Sequence, residues 1–502
     1  MTARYVFGLV LLTAVTRLPL LRHPFPIDDE RIYAVVANEM HAGGKPYVDA
    51  VERKPPLLFW TYAAIVAVVG PYHWPGLHTA ALLWVLLTVA GCYLLGQALF
   101  GRATGFAAAL LYSIYQPWWA FGTLSLNGEV LMNLPLVWAA WLVLKPSRST
   151  WRPELLVAGA LLGAAFLLKQ PAAIAAVAFG LYLLLPSCRK SRGGSAGTGL
   201  LHAALLTAGF AAVLTGVLLV LRAEGILPDA IYWTIGDHTS PYLNLPNGIG
   251  STLAFLAVCA PLTAGMYCGV RALRAQPPGD PWATRQPELL AVLLWTGVSW
   301  LGVAAGGRFY PHYFIQLVAP LVVLSAPYLV AWLASQRRRL VAGYLGVSTL
   351  GLLVWHALSL PPSRTPSEAG VYVRTHSDSS DRLFMWGQNT PIYLDAERRP
   401  ATRYIATFPL TGYVFGSPHA WDPAYDTSDR ILPGAWQHFS EDVVRHPPRY
   451  IIDTDAARPV AKYPAAKFPI LRELLAEHYR LVFRARDGLV YERVDGLPAP
   501  RS

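Results

Sequence analysis

The sequence has little charge and few cysteines for its length. Only 14% of its 502 residues are charged, and 30 acidic residues stand against 41 lysines and arginines. None of its four cysteines falls in the polar C-terminal third, so a disulfide framework is not indicated. With 54% hydrophobic residues, the composition excludes an ordinary soluble domain. The cysteines lie in or beside apolar segments, at Cys92, Cys188, Cys259 and Cys268.

Long apolar runs recur along the chain and predict a polytopic membrane protein. Most are long enough, or nearly long enough, to cross a bilayer. One further run, 57–70, is short for a span, and we expect it to lie at the outer face or to dip into it. We expect eleven spans, near residues 4–20, 76–99, 103–121, 127–145, 154–169, 171–186, 200–222, 250–271, 288–306, 312–334 and 339–358.

Basic residues concentrate in the short connections between these runs. That placement favours membrane topology over nucleic-acid binding as the reason for the net charge of +11. If 57–70 does not cross, all five basic connections fall on the same side as the N-terminus. We therefore expect a cytoplasmic N-terminus, and we expect the residues after about 359 to be extracytoplasmic.

Residues 359–502 change character and predict a small extracytoplasmic α/β domain. Strands are predicted at ATRYIATF (401–408), RYIIDTD (449–455) and LVFRARDGLVYERV (481–494), and a helix at FPILRELLAEHYR (468–480). The predicted fold is mainly α, with a transmembrane catalytic domain over 1–358 whose first outer loop, 21–75, carries interfacial helices.

An unusual density of charge lies in this first loop, within PIDDERIYAVVANEMHAGGKPYVDAVERKPP. Residues 28–41 have the apolar spacing of an amphipathic helix, and Gly43-Gly44 is expected to end it. Acids in a first helical turn are stabilised by the helix dipole. Asp29 is a candidate general base for an acceptor hydroxyl. A helix cap without chemistry also explains one acid, but it explains three adjacent acids poorly.

Cations elsewhere in the chain are candidates for holding a phosphate. Lys54 and Arg53 follow the acidic loop, although basic side chains also snorkel at membrane interfaces. Arg308 follows two glycines that let the backbone approach a ligand closely. Tyr310 and His312 could line the same pocket, or belong to an aromatic belt or the structural core.

Ionisable groups at the ends of spans supply further candidates. Glu129 and Lys169 lie at predicted outer ends, where they either face a cavity or sit in the water layer. Asp237-His238 is an acid and imidazole pair on an outer loop. With Glu52, His238 could bind a divalent cation, although ligands drawn from separate loops are a weak signal.

The motifs resemble those of a known family. Asp29-Glu30-x-x-Tyr33-Ala34 and Glu52-Arg53-Lys54-Pro55-Pro56 look like the first and second loop motifs of bacterial lipid-linked-sugar glycosyltransferases of the GT-C class. The similarity is to family 39, which includes protein O-mannosyltransferases and the lipid A aminoarabinose transferase. Lys169-Gln170-Pro171 and the segment 307–313, Gly-Arg-Phe-Tyr-Pro-His-Tyr, resemble its later signatures, so the likeness covers about residues 5–335.

The resemblance implies a role for each motif. Asp29 would be the catalytic carboxylate, with Lys54 and Arg308 contacting the donor phosphate. Glu52 and His238 would match a metal position found in some members, although Arg53 separates Glu52 from Lys54 where the aminoarabinose enzyme has them adjacent. The substrate contacts expected in addition are Glu30, Tyr33, Arg53, Lys169, Tyr310, His312 and Tyr313.

The implied activity is inverting transfer of a sugar from a polyprenyl phosphate to a hydroxyl at the outer face of a bacterial cytoplasmic membrane. The acceptor class, protein, lipid or glycan, stays open, as do the sugar and a divalent cation. No cofactor and no nucleic acid is expected. The alternatives are a flippase or transporter of lipid-linked sugars, which would typically have spans broken at the bilayer midplane, and an inactive scaffold whose exported domain binds cell-wall polymer.

Overall fold

Helices make up most of the chain in the computed structural model, which describes residues 3–18, 20, 28–118, 124–147, 149–186, 195–236, 243–275, 278–335, 338–359, 365–417, 419–420, 422–458 and 461–494. We number the helices in chain order: α1 (Ala3–Arg17), α2 (Asp28–His41), α3 (Pro56–Val69), α4 (Trp74–Phe100), α5 (Arg102–Trp118), α6 (Gly128–Leu144), α7 (Glu154–Leu168), α8 (Ala172–Leu184), α9 (Ala196–Ala223), α10 (Leu227–Ile235), α11 (Leu245–Val258), α12 (Ala260–Ala275), α13 (Gln286–Ala304), α14 (Ile315–Leu333), α15 (Arg338–Ser359), α16 (Glu368–His376), α17 (Pro391–Ala396), α18 (Phe408–Thr411), α19 (Ala435–Arg445) and α20 (Pro469–His478). Short 3₁₀ helices are Pro311–Phe314, Ser428–Arg430 and Ala465–Lys467.

Every predicted span overlaps with at least one of these helices. Among the described residues, four helical segments are long and apolar enough to cross a membrane: Trp74–Phe100, Ala196–Ala223, Gln286–Ala304 and Pro311–Leu333. Helices α3, α6, α7 and α8 are apolar but shorter. The chain is therefore a multi-pass membrane protein, while the expected number of eleven spans stays a prediction.

One predicted span is broken. Residues 250–271 were expected to form a continuous helix, but α11 and α12 are bent by 88° relative to each other. The break falls at Cys259, whose N–H donates to the carbonyl of Phe255 at 2.8 Å and so closes the last turn of α11. Counted as one bent span, this pair would raise the number of candidate spans to five.

Contacts between Cα atoms divide the chain into two compact units. We call residues 1–26, 75–220 and 243–362 the helical unit, and residues 27–74, 221–242 and 363–502 the mixed unit. The predicted first loop, with α2 and α3, thus packs with the C-terminal residues.

Helix α14 forms the centre of the helical unit. It belongs to the candidate span Pro311–Leu333, whose most apolar stretch of 18 residues is 89% buried. This is the largest buried share among the candidate spans of the described residues. It packs against α5, α6, α12 and α13. An apolar helix that is buried on all sides is typical of the core of a helix bundle.

Two glycines let α7 and α9 cross closely. A Cβ atom on Gly159 would come within 1.9 Å of the Leu206 carbonyl oxygen, and a Cβ on Gly209 within 1.9 Å of the Leu156 carbonyl oxygen. Any side chain would force the backbones apart at both places. Small residues at such crossings are characteristic of packed membrane helices.

The mixed unit contains a five-stranded sheet. Its strands are β1 (Arg382–Trp386), β2 (Arg399–Pro400), β3 (Tyr450–Asp453), β4 (Tyr479–Ala485) and β5 (Gly488–Arg493), and their order in the sheet is β2-β1-β3-β5-β4. Strand β1 is parallel to β2 and β3, whereas β5 is antiparallel to β3 and β4. Three parallel strands with an antiparallel hairpin at one edge form a mixed sheet, which is a common arrangement.

The structure confirms most of the elements predicted in this unit. Strands at 449–455 and 481–494 and the helix at 468–480 appear as β3, β4 with β5, and α20. The strand predicted at 401–408 is wrong. The pairing with β1 is limited to Arg399–Pro400 and a hydrogen bond from the Ala401 N–H to the Leu383 carbonyl at 2.8 Å. Further along, the backbone N–H of Arg403 donates to Asp442 Oδ2 at 2.9 Å and that of Thr407 to the Gly387 carbonyl at 3.0 Å, so a longer strand does not form.

Helix α2 confirms the predicted amphipathic helix and is attached to the sheet through Glu39. The Glu39 side chain is 2% exposed and accepts a hydrogen bond from Arg399 Nε at 2.8 Å, with Arg382 Nη1 at 3.4 Å. The hydrogen bond to Glu39 raises the pKa of the Arg399 guanidinium above its usual value, although burial opposes the shift. Gly44 closes the helix end, where a Cβ would stand 2.7 Å from Glu39 Cγ.

Glu39→Ala should lower the stability of the mixed unit strongly. The substitution removes the carboxylate that Arg382 and Arg399 share, and their two guanidinium groups are left without this counter-charge. Loss of one partner of a buried ion pair lowers the free energy of unfolding by about 3 kcal/mol. Thermal unfolding of the purified protein measures the change. The control is Glu441→Ala on α19, where the carboxylate accepts an exposed hydrogen bond from Gln437 at 3.0 Å. Equal melting temperatures for Glu39→Ala and the unmodified protein would contradict the anchoring role.

Candidate functional site

The acids of the first motif lie in the first turn of α2, where the helix dipole favours negative charge. Glu30 is fully buried, and Asp29 is partly exposed. The Tyr33 hydroxyl, one turn later, donates a hydrogen bond to Asp29 Oδ2 at 3.2 Å. Tyr33 is itself buried and packs edge-on against Tyr62 at 5.5 Å between ring centroids. The phenol therefore holds the Asp29 carboxylate in one orientation.

The second motif meets the first at the same tyrosine. Lys54 Nζ lies 5.7 Å from the centroid of the Tyr33 ring and 3.5 Å from Glu52 Oε1. The Lys54 side chain is 20% exposed, whereas that of Glu52 is 7% exposed. Two carboxylates, a phenol and an ammonium group drawn from both motifs thus form one cluster, Asp29–Tyr33–Lys54–Glu52.

Tyr47 positions the backbone of Lys54 and was not singled out in the sequence. Its hydroxyl donates to the Lys54 carbonyl at 2.7 Å. Burial, and then the negative charge of Glu52, raise the pKa of Tyr47 well above the usual value, so the phenol remains a hydrogen-bond donor. Tyr47 also has a positive φ of 68°, an uncommon conformation for a residue other than glycine. Neither feature has a local sequence signal beyond the preceding Lys-Pro.

Arg53 faces aromatic rings from the C-terminal part of the mixed unit. Its guanidinium carbon lies 5.0 Å from the centroid of Phe408 and 5.8 Å from that of Phe415. Both distances are in the range of cation–π attraction. A contact of Arg53 with a donor phosphate stays a prediction.

A second cluster lies in the helical unit. Lys169 Nζ donates a short hydrogen bond to Glu129 Oε1, and both residues are buried. The same ammonium group lies 4.8 Å from the centroid of the Tyr313 ring. Glu129 follows the N-cap of α6, where Asn127 accepts from the Val130 N–H at 3.0 Å, and Lys169 directly follows α7. Buried ions at the ends of membrane helices are thereby paired, as burial requires.

The aromatic part of the later motif extends this cluster. The ring centroids of Tyr310 and His312 are 5.7 Å apart, and those of His312 and Tyr313 are 4.8 Å apart. Asn247 fixes the preceding backbone, because its Nδ2 donates to the carbonyls of Arg308 at 2.6 Å and Phe309 at 3.1 Å. Asn247 was not predicted, since it lies 61 residues away in sequence.

The structure therefore groups the predicted residues into two sets. Asp29, Glu30, Tyr33, Glu52, Arg53 and Lys54 belong to the mixed unit, and Lys169, Arg308, Tyr310, His312 and Tyr313 to the helical unit. The joint action of both sets on one substrate stays a prediction.

The predicted metal position has one described member. His238 lies outside the described residues, and the Glu52 carboxylate faces Lys54. Within the described ranges, no group of three or more His, Cys, Asp or Glu side chains is arranged to hold a metal ion.

Solved membrane proteins share the architecture of this chain, in which apolar helices and a small α/β unit occur together. Among solved structures, ArnT from Cupriavidus metallidurans bound to undecaprenyl phosphate matches with a TM-score of 0.62 at 16% identity, over 100% of both chains. ArnT in the apo state matches with a TM-score of 0.61 at 15% identity, over 99% of both chains.

A second solved protein and a family model also match the chain. The oligosaccharyltransferase AglB from Archaeoglobus fulgidus, in complex with an inhibitory peptide and a dolichol-phosphate, matches with a TM-score of 0.52 at 13% identity, over 99% of this chain and 74% of AglB. Residues 53–218 match the family model for dolichyl-phosphate-mannose-protein mannosyltransferase. A comparison with curated protein sequences found no match. The predicted resemblance to the GT-C glycosyltransferases is confirmed, and the chain has their fold.

Lys169→Met should destabilise the helical unit by about 3 kcal/mol, because it leaves Glu129 as a buried charge without its counter-ion. Glu129→Gln added to Lys169→Met should restore much of the loss. The control is Lys145→Met. In the unmodified protein the Lys145 ammonium group lies 3.5 Å from Glu154 Oε1, and the two side chains are 30% and 23% exposed. Ion pairs that are exposed to solvent contribute little to stability. Thermal unfolding in detergent separates the variants. A Lys169→Met protein no less stable than Lys145→Met would show that the pair is dispensable.

Proposed function

We propose that this protein is an integral-membrane glycosyltransferase that moves a sugar from a polyprenyl phosphate to a hydroxyl acceptor, with inversion at the anomeric carbon. The GT-C fold supports transfer, and the Asp29–Tyr33–Lys54–Glu52 cluster is the observation that carries the proposal. Solved relatives bound to undecaprenyl phosphate and dolichol-phosphate support a lipid-phosphate donor, and the inhibitory peptide on AglB makes a peptide one acceptor to test.

In the proposed step, Asp29 takes the proton from the acceptor hydroxyl. The acceptor oxygen attacks the anomeric carbon on the face opposite the phosphate, and the bond from that carbon to the phosphate oxygen breaks with its electron pair on the phosphate. The Tyr33 hydroxyl keeps Asp29 oriented for the transfer. One base and a group of cations suit this displacement better than the paired carboxylates of a glycosidase.

Cations would stabilise the departing phosphate, an electrostatic contribution that usually supplies a large part of an enzyme's rate. Lys54 is the first candidate because its ammonium group lies 5.7 Å from the centroid of the Tyr33 ring, and Tyr33 donates to Asp29. Arg53, Lys169 and Arg308 are proposed as further donor contacts. Glu30, Tyr310, His312 and Tyr313 would shape the space around the sugar.

A donor with a polyprenyl tail also needs an apolar surface to lie on. The helical unit has an open apolar cavity of about 370 Å³, lined by Leu12, Leu110, Ile114, Gly346, Thr349, Leu350 and Leu353. Its walls come from α1, α5 and α15. We propose that part of the lipid tail lies there.

We further propose the topology predicted from the basic connections. It has eleven spans, a cytoplasmic N-terminus and a catalytic face outside a bacterial cytoplasmic membrane. Cysteine-accessibility labelling of residues in the C-terminal part of the mixed unit, in intact cells, tests this orientation. Labelling only after permeabilisation of the cytoplasmic membrane would reverse it.

Asp29→Asn should reduce transfer by at least about 100-fold, the lower end of what a positioned general base contributes. Release of polyprenyl phosphate from a panel of lipid-linked sugars, mixed with acceptor extracts, measures the loss, and unchanged thermal unfolding shows that the variant folds. The control is Asp28→Asn, which removes the same charge one position earlier. Normal turnover by folded Asp29→Asn would remove this residue from the mechanism.

Transfer should need no metal, because the Lys54 ammonium already provides positive charge beside Glu52. The same assay in excess EDTA should keep the full rate. A rate that falls in EDTA and returns with a divalent cation would instead support the predicted Glu52 and His238 position.

Gly346→Phe should raise the KM for the lipid-linked donor several-fold without a large change in stability. A Cβ at Gly346 meets no atom within 4 Å, so the added ring can occupy the cavity rather than strain the helix. Gly343→Phe is the matched control on α15, since a Cβ there also meets open space but the residue does not line the cavity. Equal KM values for the two variants would place the tail elsewhere.

The bent pair α11 and α12 gives the alternative of a flippase or transporter some support, since broken spans are typical of transporters. The two functions differ in their product. A transferase releases polyprenyl phosphate, whereas a flippase moves the intact lipid-linked sugar across a vesicle membrane.

A further inference from the structure

A cavity of about 220 Å³ opens in the mixed unit at the carboxyl ends of the parallel strands β1 and β3. Gln388 and Thr390 line it just after β1, and Arg458 lines it after β3. Ligands of open α/β sheets bind at this end of the strands. The cavity is smaller than the sites of about 300–1,000 Å³ that enclose drug-sized molecules, so it suits a single small group.

Two of the residues that line the cavity carry buried polar atoms that are open to a ligand's hydrogen bonds, as far as the described residues show. Neither Thr390 Oγ1 nor Gln388 Oε1 has a hydrogen-bond partner among the described residues. Thr390 is only 1% exposed. A buried polar atom without a partner costs about 1–3 kcal/mol, and most such atoms in proteins are satisfied. A ligand with hydroxyl groups would supply the missing hydrogen bonds.

The other walls define the ligand class. The rings of Tyr413 and Phe415 line the cavity with their centroids 5.0 Å apart. Arg458 Nε lies 3.9 Å from Asp455 Oδ1, so its positive charge already has a counter-charge. Apolar ring faces, hydroxyl-binding atoms and balanced charge together fit a neutral sugar ring, which presents C–H faces and several hydroxyl groups.

The cavity also touches the proposed catalytic helix. Ile32 of α2 lines it, and Asp29 lies three residues earlier on the same helix. Side chains three residues apart on a helix are neighbours, with about 5–6 Å between their Cβ atoms. A sugar that contacts Ile32 in the cavity would therefore lie close to the side chain of Asp29.

We propose that this cavity is the acceptor subsite and that it binds a neutral saccharide unit of the acceptor. Gln388 and Thr390 take its hydroxyl groups, Tyr413 and Phe415 cover its apolar face, and Asp29 receives the proton of the hydroxyl that attacks. The assignment of the bound sugar as acceptor rests on the proposed function.

Saturation-transfer NMR with the full-length protein in lipid nanodiscs, free of sugar-based detergent, tests the subsite directly. The probes are the methyl glycosides of glucose, galactose, mannose and N-acetylglucosamine. At least one should bind, and Thr390→Val should weaken its binding about fivefold, the ratio that one hydrogen bond of typical strength provides. The control is Thr375→Val on the exposed side of α16, which should bind normally.

Thermal unfolding separates a binding role from a structural one. The Thr390 hydroxyl lacks a partner in the described protein, so Thr390→Val should melt at the same temperature as the unmodified protein or higher without ligand. No glycoside binding, or equal binding by Thr390→Val and the unmodified protein, would overturn the subsite. Asp29→Asn should still bind the glycoside. If it binds and also transfers sugar normally, the proposed function fails while the subsite stands.

Discussion

The mixed unit depends on one buried carboxylate, Glu39, which holds α2 against the sheet through Arg382 and Arg399. A charge removed from water is tolerated only with partners of opposite charge. Glu39 therefore sets the position of α2 relative to β1 and β2. The first turn of α2 carries Asp29, and its buried side lines the cavity below the strand ends. Anchoring and proposed chemistry thus share one helix.

The same rule governs both candidate clusters. Lys54 lies beside Glu52, and Lys169 beside Glu129, so each ammonium group already has a carboxylate near it. Such pairing lets an apolar protein hold a cation at the end of a helix without leaving its charge buried alone. Aromatic rings complete the arrangement, since Tyr33 and Tyr313 each face one of these ammonium groups. Tyr33 also donates to Asp29, so one phenol links the acid and the cation of the first cluster.

Sequence patterns predicted the elements whose signal is local. The helix at 28–41 and the strands near 450–453 and 479–493 follow from apolar periodicity and turn residues. The break at Cys259 was missed because apolar residues continue on both sides of it. The strand predicted at 401–408 failed because Asp442 and Gly387 take the backbone hydrogen bonds that a ladder would need. Candidate residues that belong to a motif were predicted. Tyr47 and Asn247 were not, because they bond to backbone carbonyl groups, which every residue type has and which therefore leave no pattern in the sequence.

The sequence alone determined that the protein is apolar, multi-pass and mainly helical, and which acids and cations are candidates for chemistry. Those properties depend on hydrophobicity, periodicity and short motifs, each of which is contained in a short window of the chain. Only the tertiary structure decided that Glu39 pairs with Arg399, 360 residues away, and that Ile32 and Gln388 line one cavity. Such pairings depend on the path of the backbone between the partners, and no local preference of either residue specifies that path.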